Sequence, residues 1–168
     1  DDSEEQVELA RRLGVSGVGK ANGLDFLRSS QSASADVICL FDVMEHLTRQ
    51  EMWELLKEVR RVMGPRGMCI GHVPNAGGIF GMAIRYGDVT HEQAFTPGSL
   101  SQVFGCFGFC VECFEDKPAF RGLLSSARRM IWEAGTAPIR LLRTAEKGTV
   151  RHILSDNLLF VAKPKHWT

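Results

Sequence analysis

Two apolar runs without alternation, DVICLFDV at 36–43 and MCIGHVPN at 68–75, limit the possible folds more than any other feature of the chain. A strand with one wet face alternates polar and apolar residues; a run that does not alternate predicts a strand covered on both faces, as in a parallel sheet. Between the runs Thr48 and Glu51 form a capping box, and Met52, Leu55, Leu56, Val59 and Met63 recur at helical spacing until Gly64-Pro65 stops them. Strand, helix, turn and strand predict a right-handed βαβ unit in an α/β, doubly wound, mostly parallel sheet, with 36–43 as a central strand.

Around this unit the punctuation is local. Ser3 and Gln6 predict a capped helix ended by Gly14, so that the chain opens mid-fold; a glycine-punctuated passage follows at 15–23, then a short helical turn over LDFLRSS. Residues 76–98, with Gly77, Gly78, Gly81, Gly87, Pro97 and Gly98, are too long and irregular for a plain connection and predict a lid. A short helix is expected over Ser99–Phe107, a strand over FCVECFED, basic helical segments at about 122–134 and 138–146 broken near Gly135 and Pro138, and a last strand in DNLLFVAKP.

A length of 168 residues suits one domain, and twenty bases against twenty acids give no uniform field to attract nucleic acid. The total hides an asymmetry: residues 1–60 carry twelve acids and seven bases, whereas 117–168 carry ten bases and three acids, a balance of 10 − 3 = +7. A solvated helix face accounts for the basic third; contact with an anionic substrate or a lipid surface is the other reading. No run approaches the ~18 apolar residues of a spanning helix, and DDSEEQVELARR has no signal-peptide pattern, so a soluble, cytoplasmic protein without a membrane span is expected. Five cysteines, an odd number, with Cys39 and Cys69 inside apolar runs, argue against a disulfide framework.

Three short patterns fail on context. GVSGVGKA at 14–21 has phosphate-loop spacing, but Ala21 stands where a Ser or Thr should hold magnesium and a helix precedes it. Cys106, Cys110 and Cys113 have iron–sulfur loop spacing, yet Cys110 and Cys113 fall on opposite faces of an alternating strand. Arg85, Asp88 and His91 could form an acid–base group, though three polar residues in a glycine-rich loop often meet by chance.

The order of pieces is more specific than any one of them. DDSEEQVELARRLGV, ANGLDFL, DVICLFDVMEHL, VRRVMGPRGMCIGHVPN and GDVTHEQAFTPGSLSQVFGCFGFCVECFED, in that order, resemble the class I S-adenosylmethionine-dependent methyltransferases from the end of their second strand onward. ANGLDFL is similar to the end of the family's third strand and DVICLFDVMEHL to its fourth-strand signature. The resemblance implies a single Rossmann-like domain over 1–168, without the first strand and the glycine-rich loop, and with a basic helical insertion at 118–150.

It also implies roles. Asp1 matches the acid that accepts both ribose hydroxyls of the cofactor, and Asp2 lies along the adenine. Asn22 stands where the family has an Asp that accepts from the adenine amino group, and Gly23 presents its N–H to the ring. Phe41, Asp42 and Val43 leave the fourth strand beneath the methionine end, at the carboxyl edge of the sheet where such folds bind ligands. His46 and His91 are the candidate catalytic bases; pocket lining fits His46 better, and the base role fits His91 better, because a lid residue meets the acceptor. Asp42, Glu45, His46 and His91 together are similar to a metal arrangement in methyltransferases of the 3′-terminal 2′-hydroxyl of small RNAs. The EH pair is also common in methyltransferases without metal, so no resident metal is expected.

The expected activity is transfer of the sulfonium methyl of S-adenosylmethionine to an oxygen, less readily a nitrogen or carbon, of a small or carbohydrate-like acceptor, anionic if the basic insertion meets it. A metal-containing RNA 2′-O-methyltransferase and a non-catalytic binding domain of the same fold are the alternatives. Nucleic acid is not the favoured partner, and a homodimer is left open.

Overall fold

A computed structural model of the chain describes residues 3–118, 120 and 122–165. The opening helix α1 (Glu4–Arg12) starts where Ser3 accepts from the Gln6 N–H and ends before Gly14, whose φ of +80° suits a residue without Cβ. Next comes α2 (Gly23–Ser29), then β1 (Ala35–Phe41), a single 3₁₀ turn at Met44–His46, α3 (Arg49–Val62) and β2 (Met63–Pro74). Beyond the lid helix α4 (Gly81–Gly87) lie α5 (Pro97–Gly105), β3 (Phe109–Glu115), α6 (Gly122–Lys147) and β4 (Asn157–Pro164).

The strands order as β1-β2-β4-β3. β1 and β2 pair in parallel, whereas β4 pairs antiparallel with both β2 and β3. Three of the four strands therefore run the same way and β4 alone runs against them, in keeping with the α/β, mostly parallel sheet expected. The capping box at Thr48 forms as read, and Met52, Leu55, Leu56, Val59 and Val62 are all buried. Behind β2, Phe104 stands edge-to-face with Phe109 at 5.7 Å and lies 5.2 Å from Phe160, joining α5 to both antiparallel strands.

Several local expectations need correcting. Residues 36–43 were expected at the centre of the sheet, but β1 is an edge strand among the described residues, with Val37 and Phe41 about half exposed and Cys39 exposed as well. The reason lies upstream: residues 15–22 form no strand, and ANGLDFL, expected to end one, is instead the capped helix α2. The Gly64-Pro65 turn does not separate α3 from the strand. β2 begins at Met63, and the register passes from Ala35↔Met63 to Val37↔Met68, so residues 64–67 form a bulge beside β1.

The insertion is one helix of 26 residues with Pro138 inside it, not two segments. Proline removes an N–H from the helix ladder, but clamps on either side hold the axis. Glu133 accepts from Arg129 (2.8 Å) and Lys117 (2.9 Å), while Arg140 donates to both Glu115 oxygens (2.7 and 2.8 Å) and to the His152 carbonyl (2.6 Å). No helix among the described residues is long and apolar enough to cross a membrane.

Candidate active site

The site is built where β1 runs out. Asp42 takes a φ of +52°, a left-handed backbone that Asp tolerates better than most residues, and turns the chain off the sheet edge. Its Oδ1 meets Nδ1 of His72 on β2 at 2.7 Å, and the other ring nitrogen of His72 lies 3.6 Å from Asp116 Oδ2 beyond β3. The 3₁₀ turn buries Met44 and Glu45, and the Thr48 capping box fixes the start of α3 just after His46. An imidazole is thereby presented on a short, doubly anchored turn.

Against this turn lies a cavity of about 940 Å³, running along the free edge of β1 and past its carboxyl end. Its lining includes Asn22, Gly23, Phe41, Asp42, Val43 and His46, so six of the residues singled out in the sequence come together. Such a volume, with mostly aliphatic walls and a few polar groups, suits a nucleoside-sized ligand. Asn22 is already at work: its Oδ1 caps α2 by accepting from the Leu24 N–H (3.0 Å) and the Asp25 N–H (3.4 Å). An adenine amino group would compete with that cap for the oxygen, whereas the amide nitrogen of Asn22 is not consumed by it. The N–H of Gly23 is one of those a helix start leaves without an intrahelical acceptor. Asp1 and Asp2 lie outside the described residues.

His91 does not line the cavity. It stands behind His46 with ring centroids 4.7 Å apart, edge to face. The lid is clipped down there, because the Glu92 and Gln93 N–H groups donate to the Glu45 carbonyl at 2.7 and 3.0 Å. At the lid's other end the buried Asn75 donates to the carbonyls of Ile153 (3.2 Å) and Ser155 (2.8 Å) and accepts from the Gly77 N–H (2.9 Å). Gly81 is required beside it, since a Cβ there would strike the Asn75 carbonyl oxygen.

Glu45 is the electrostatic oddity. Its side chain is 1% exposed and Oε2 has no hydrogen-bond partner. Burial pushes the carboxyl above its usual range and the Asp42 charge adds to that, against a backbone hydrogen bond and the pull of His46 and His91. One ligand atom from each of Glu45, His46 and His91 lies within 4.8 Å of the others. Sequence reasoning missed His72, whose signal was a lone polar side chain inside the apolar 68–75 run. The two buried thiols are poor nucleophile candidates: burial holds the Cys69 pKa up at about 12 and raises that of Cys113.

Residues 1–71 match the family model described as a methyltransferase domain. Among solved structures, a SAM-dependent methyltransferase from Archaeoglobus fulgidus superposes with a TM-score of 0.70 at 19% identity, over 97% of this chain and 73% of that one. Another from Thermotoga maritima gives 0.66 at 15% identity, over 98% and 72%. The chain shares the fold of these SAM-dependent methyltransferases. The cavity at the carboxyl end of β1 lies where such folds bind their ligands and has the size for a nucleoside-sized one. No curated protein sequence matches the chain.

Proposed function

We propose that the chain is a methyltransferase that holds S-adenosylmethionine along the β1 edge and methylates an oxygen of a small, carbohydrate-like, anionic acceptor that reaches the cavity past His46. The cofactor supplies an electrophilic sulfonium methyl, so the residues around it chiefly need to bind and orient. The observation that supports the reading is the gathering of Asn22, Gly23, Phe41, Asp42, Val43 and His46 around one cavity. Asp1 and Asp2 take the ribose and the adenine edge in this reading. Asn22 offers its amide nitrogen to an adenine ring nitrogen while its oxygen keeps the helix cap, and Phe41 and Val43 give apolar walls.

The base role passes from His91 to His46. Thr90 Oγ1 donates to Asp88 Oδ1 at 2.7 Å and therefore accepts from His46 Nδ1 at 2.9 Å, which leaves Nε2 of His46 with a lone pair. Such an imidazole can take the proton of a hydroxyl acceptor as the methyl arrives. The basic stretch 117–168 is the reason for expecting an anionic acceptor. Calorimetric titration with S-adenosylhomocysteine tests the cofactor assignment: Asp1→Ala should weaken binding by about 1.5–3 kcal/mol, the range for losing charged hydrogen bonds. Unchanged affinity would reject the ribose role. His46→Ala should lower turnover by roughly 100-fold with cofactor affinity nearly intact if it is the base.

A further inference from the structure

We propose that the outward face of α6 pairs with the same face of a second copy of this chain, helix against helix and antiparallel, about a two-fold axis beside Ala137. From Leu123 to Glu146 every exposed residue of the helix is apolar or small except Arg128 and Glu146. Leu123, Leu124, Met130, Ile131, Leu141 and Leu142 stand at 68 to 93% exposure, roughly 900 Å² of apolar surface left in water, where soluble monomers rarely keep more than a few hundred in one patch. A stable interface covers about 800 Å² of each partner, so the strip is large enough to form most of one.

The order of sizes along the strip suits a copy of itself. Its middle consists of Ala134, Gly135, Ala137 and Pro138, small enough for two helix backbones to come close, and large side chains lie on either side of that middle. At 3.6 residues per turn, Pro138, Leu141, Leu142 and Ala145 outline one hole on the helix surface, and Ala127, Met130, Ile131 and Ala134 outline another. With an antiparallel copy laid on the strip and the axis between residues 136 and 137, Ile131 enters the partner's first hole and Leu142 its second. One register fills both holes on both copies, as an isologous interface requires.

The two charges select the direction. Arg128 and Glu146 are 18 residues apart, which is five turns, so they share one edge of the strip at a separation of roughly 27 Å. An antiparallel copy sets each Arg128 beside the partner's Glu146 at both ends of the interface, whereas a parallel copy sets like charges together. The other charges of the helix do not interfere: Arg129, Glu133 and Arg140 are held on the inward side by their own partners. With one base and one acid, the strip also has no net charge to draw it to an anionic lipid surface.

Sedimentation velocity of the whole protein over concentrations up to about 100 μM tests the pairing. A monomer–dimer equilibrium is expected, weakened at least about tenfold by Ile131→Glu and by Arg128→Glu, with circular dichroism showing both variants folded. Combining Arg128→Glu with Glu146→Arg should restore the parent dimer, because the exchange returns opposite charges to the same two pairs. A protein that stays monomeric, a dimer indifferent to Ile131→Glu, or a double exchange that recovers nothing would overturn the inference. Binding of the monomer to phosphatidylglycerol vesicles through Ile131 would overturn it too, in favour of a lipid. Should Ile131→Glu fail to fold, the charge exchange alone decides.

Discussion

Helices α3 and α6 are both amphipathic, and they face opposite ways. α3 buries its apolar stripe, with Leu56 and Val59 at 0% exposure, and shows its charges to water. α6 turns Arg129, Glu133, Thr136 and Arg140 toward the body and its leucines outward. The first is held by area removed from water, which is strong and undirected. The second is held by charged hydrogen bonds, which are directional and depend on protonation. An apolar stripe therefore fixes that a helix is amphipathic, but a buried partner of the right charge decides which face it docks.

The largest effect should come from Leu56→Ala in α3, a cost of about 2–5 kcal/mol in denaturant unfolding, because a fully buried leucine leaves a cavity. A cost below about 1 kcal/mol would remove the contrast with α6 at its strong end. Next in size is Arg140→Met. Glu115, its side chain 8% exposed, keeps Lys117 and the Leu154 N–H but loses the guanidinium nitrogen shared by its two oxygens, for about 2–3 kcal/mol.

The same carboxylate gives α6 a pH dependence. Burial alone would raise the Glu115 pKa, but the hydrogen bonds from Lys117, Leu154 and Arg140 outweigh it and hold the carboxyl below its usual range. A depressed folded pKa contributes stability above the ordinary carboxylate range and loses it as pH falls through the folded value. Amide protection factors across 122–147 should thus fall on acidification before those of β2 do, and simultaneous loss would mean that α6 and the sheet share one cooperative unit. The smallest effect belongs to Ile131→Ser, expected within about 0.5 kcal/mol of the parent in the dilute monomer; a loss as large as that at Leu56 would show the outward face to be covered within its own chain.

Much of the βαβ unit was legible because its signals are local. Thr48 and Glu51 are three residues apart, and the α3 stripe needs no knowledge of its neighbours. The orientation of α6 was not, since it depends on Glu115 lying 25 residues from Arg140 in sequence, and the same clamps carry the helix past Pro138 where punctuation predicts a break. β1 reads as doubly covered because its residues are apolar, yet edge position is decided by whether another strand pairs with it. At the site, the cluster on the 39–46 run could be read from residue order, whereas the stacking of His91 on His46 and the reach of His72 between two carboxylates depend on how the lid and β2 fold back. The burial of Glu45 and its unmatched oxygen likewise depend on how the turn after β1 packs.

The position of β4 between β2 and β3 has a consequence for the order in which the molecule can assemble. β1, α3 and β2 are neighbours in sequence and can associate as soon as they are synthesised. Among the described residues β3 has no ladder partner until residues 157–164 exist, because every residue it pairs with belongs to β4. During synthesis Phe109 and Phe104 therefore wait beside an open slot, and the last strand must thread into the middle of the sheet rather than add to its rim. Closure of that slot couples pairings separated by about 90 residues on one side and fewer than 60 on the other, so the docking of β4 is the step with the largest loop to close and the natural candidate for the slowest one.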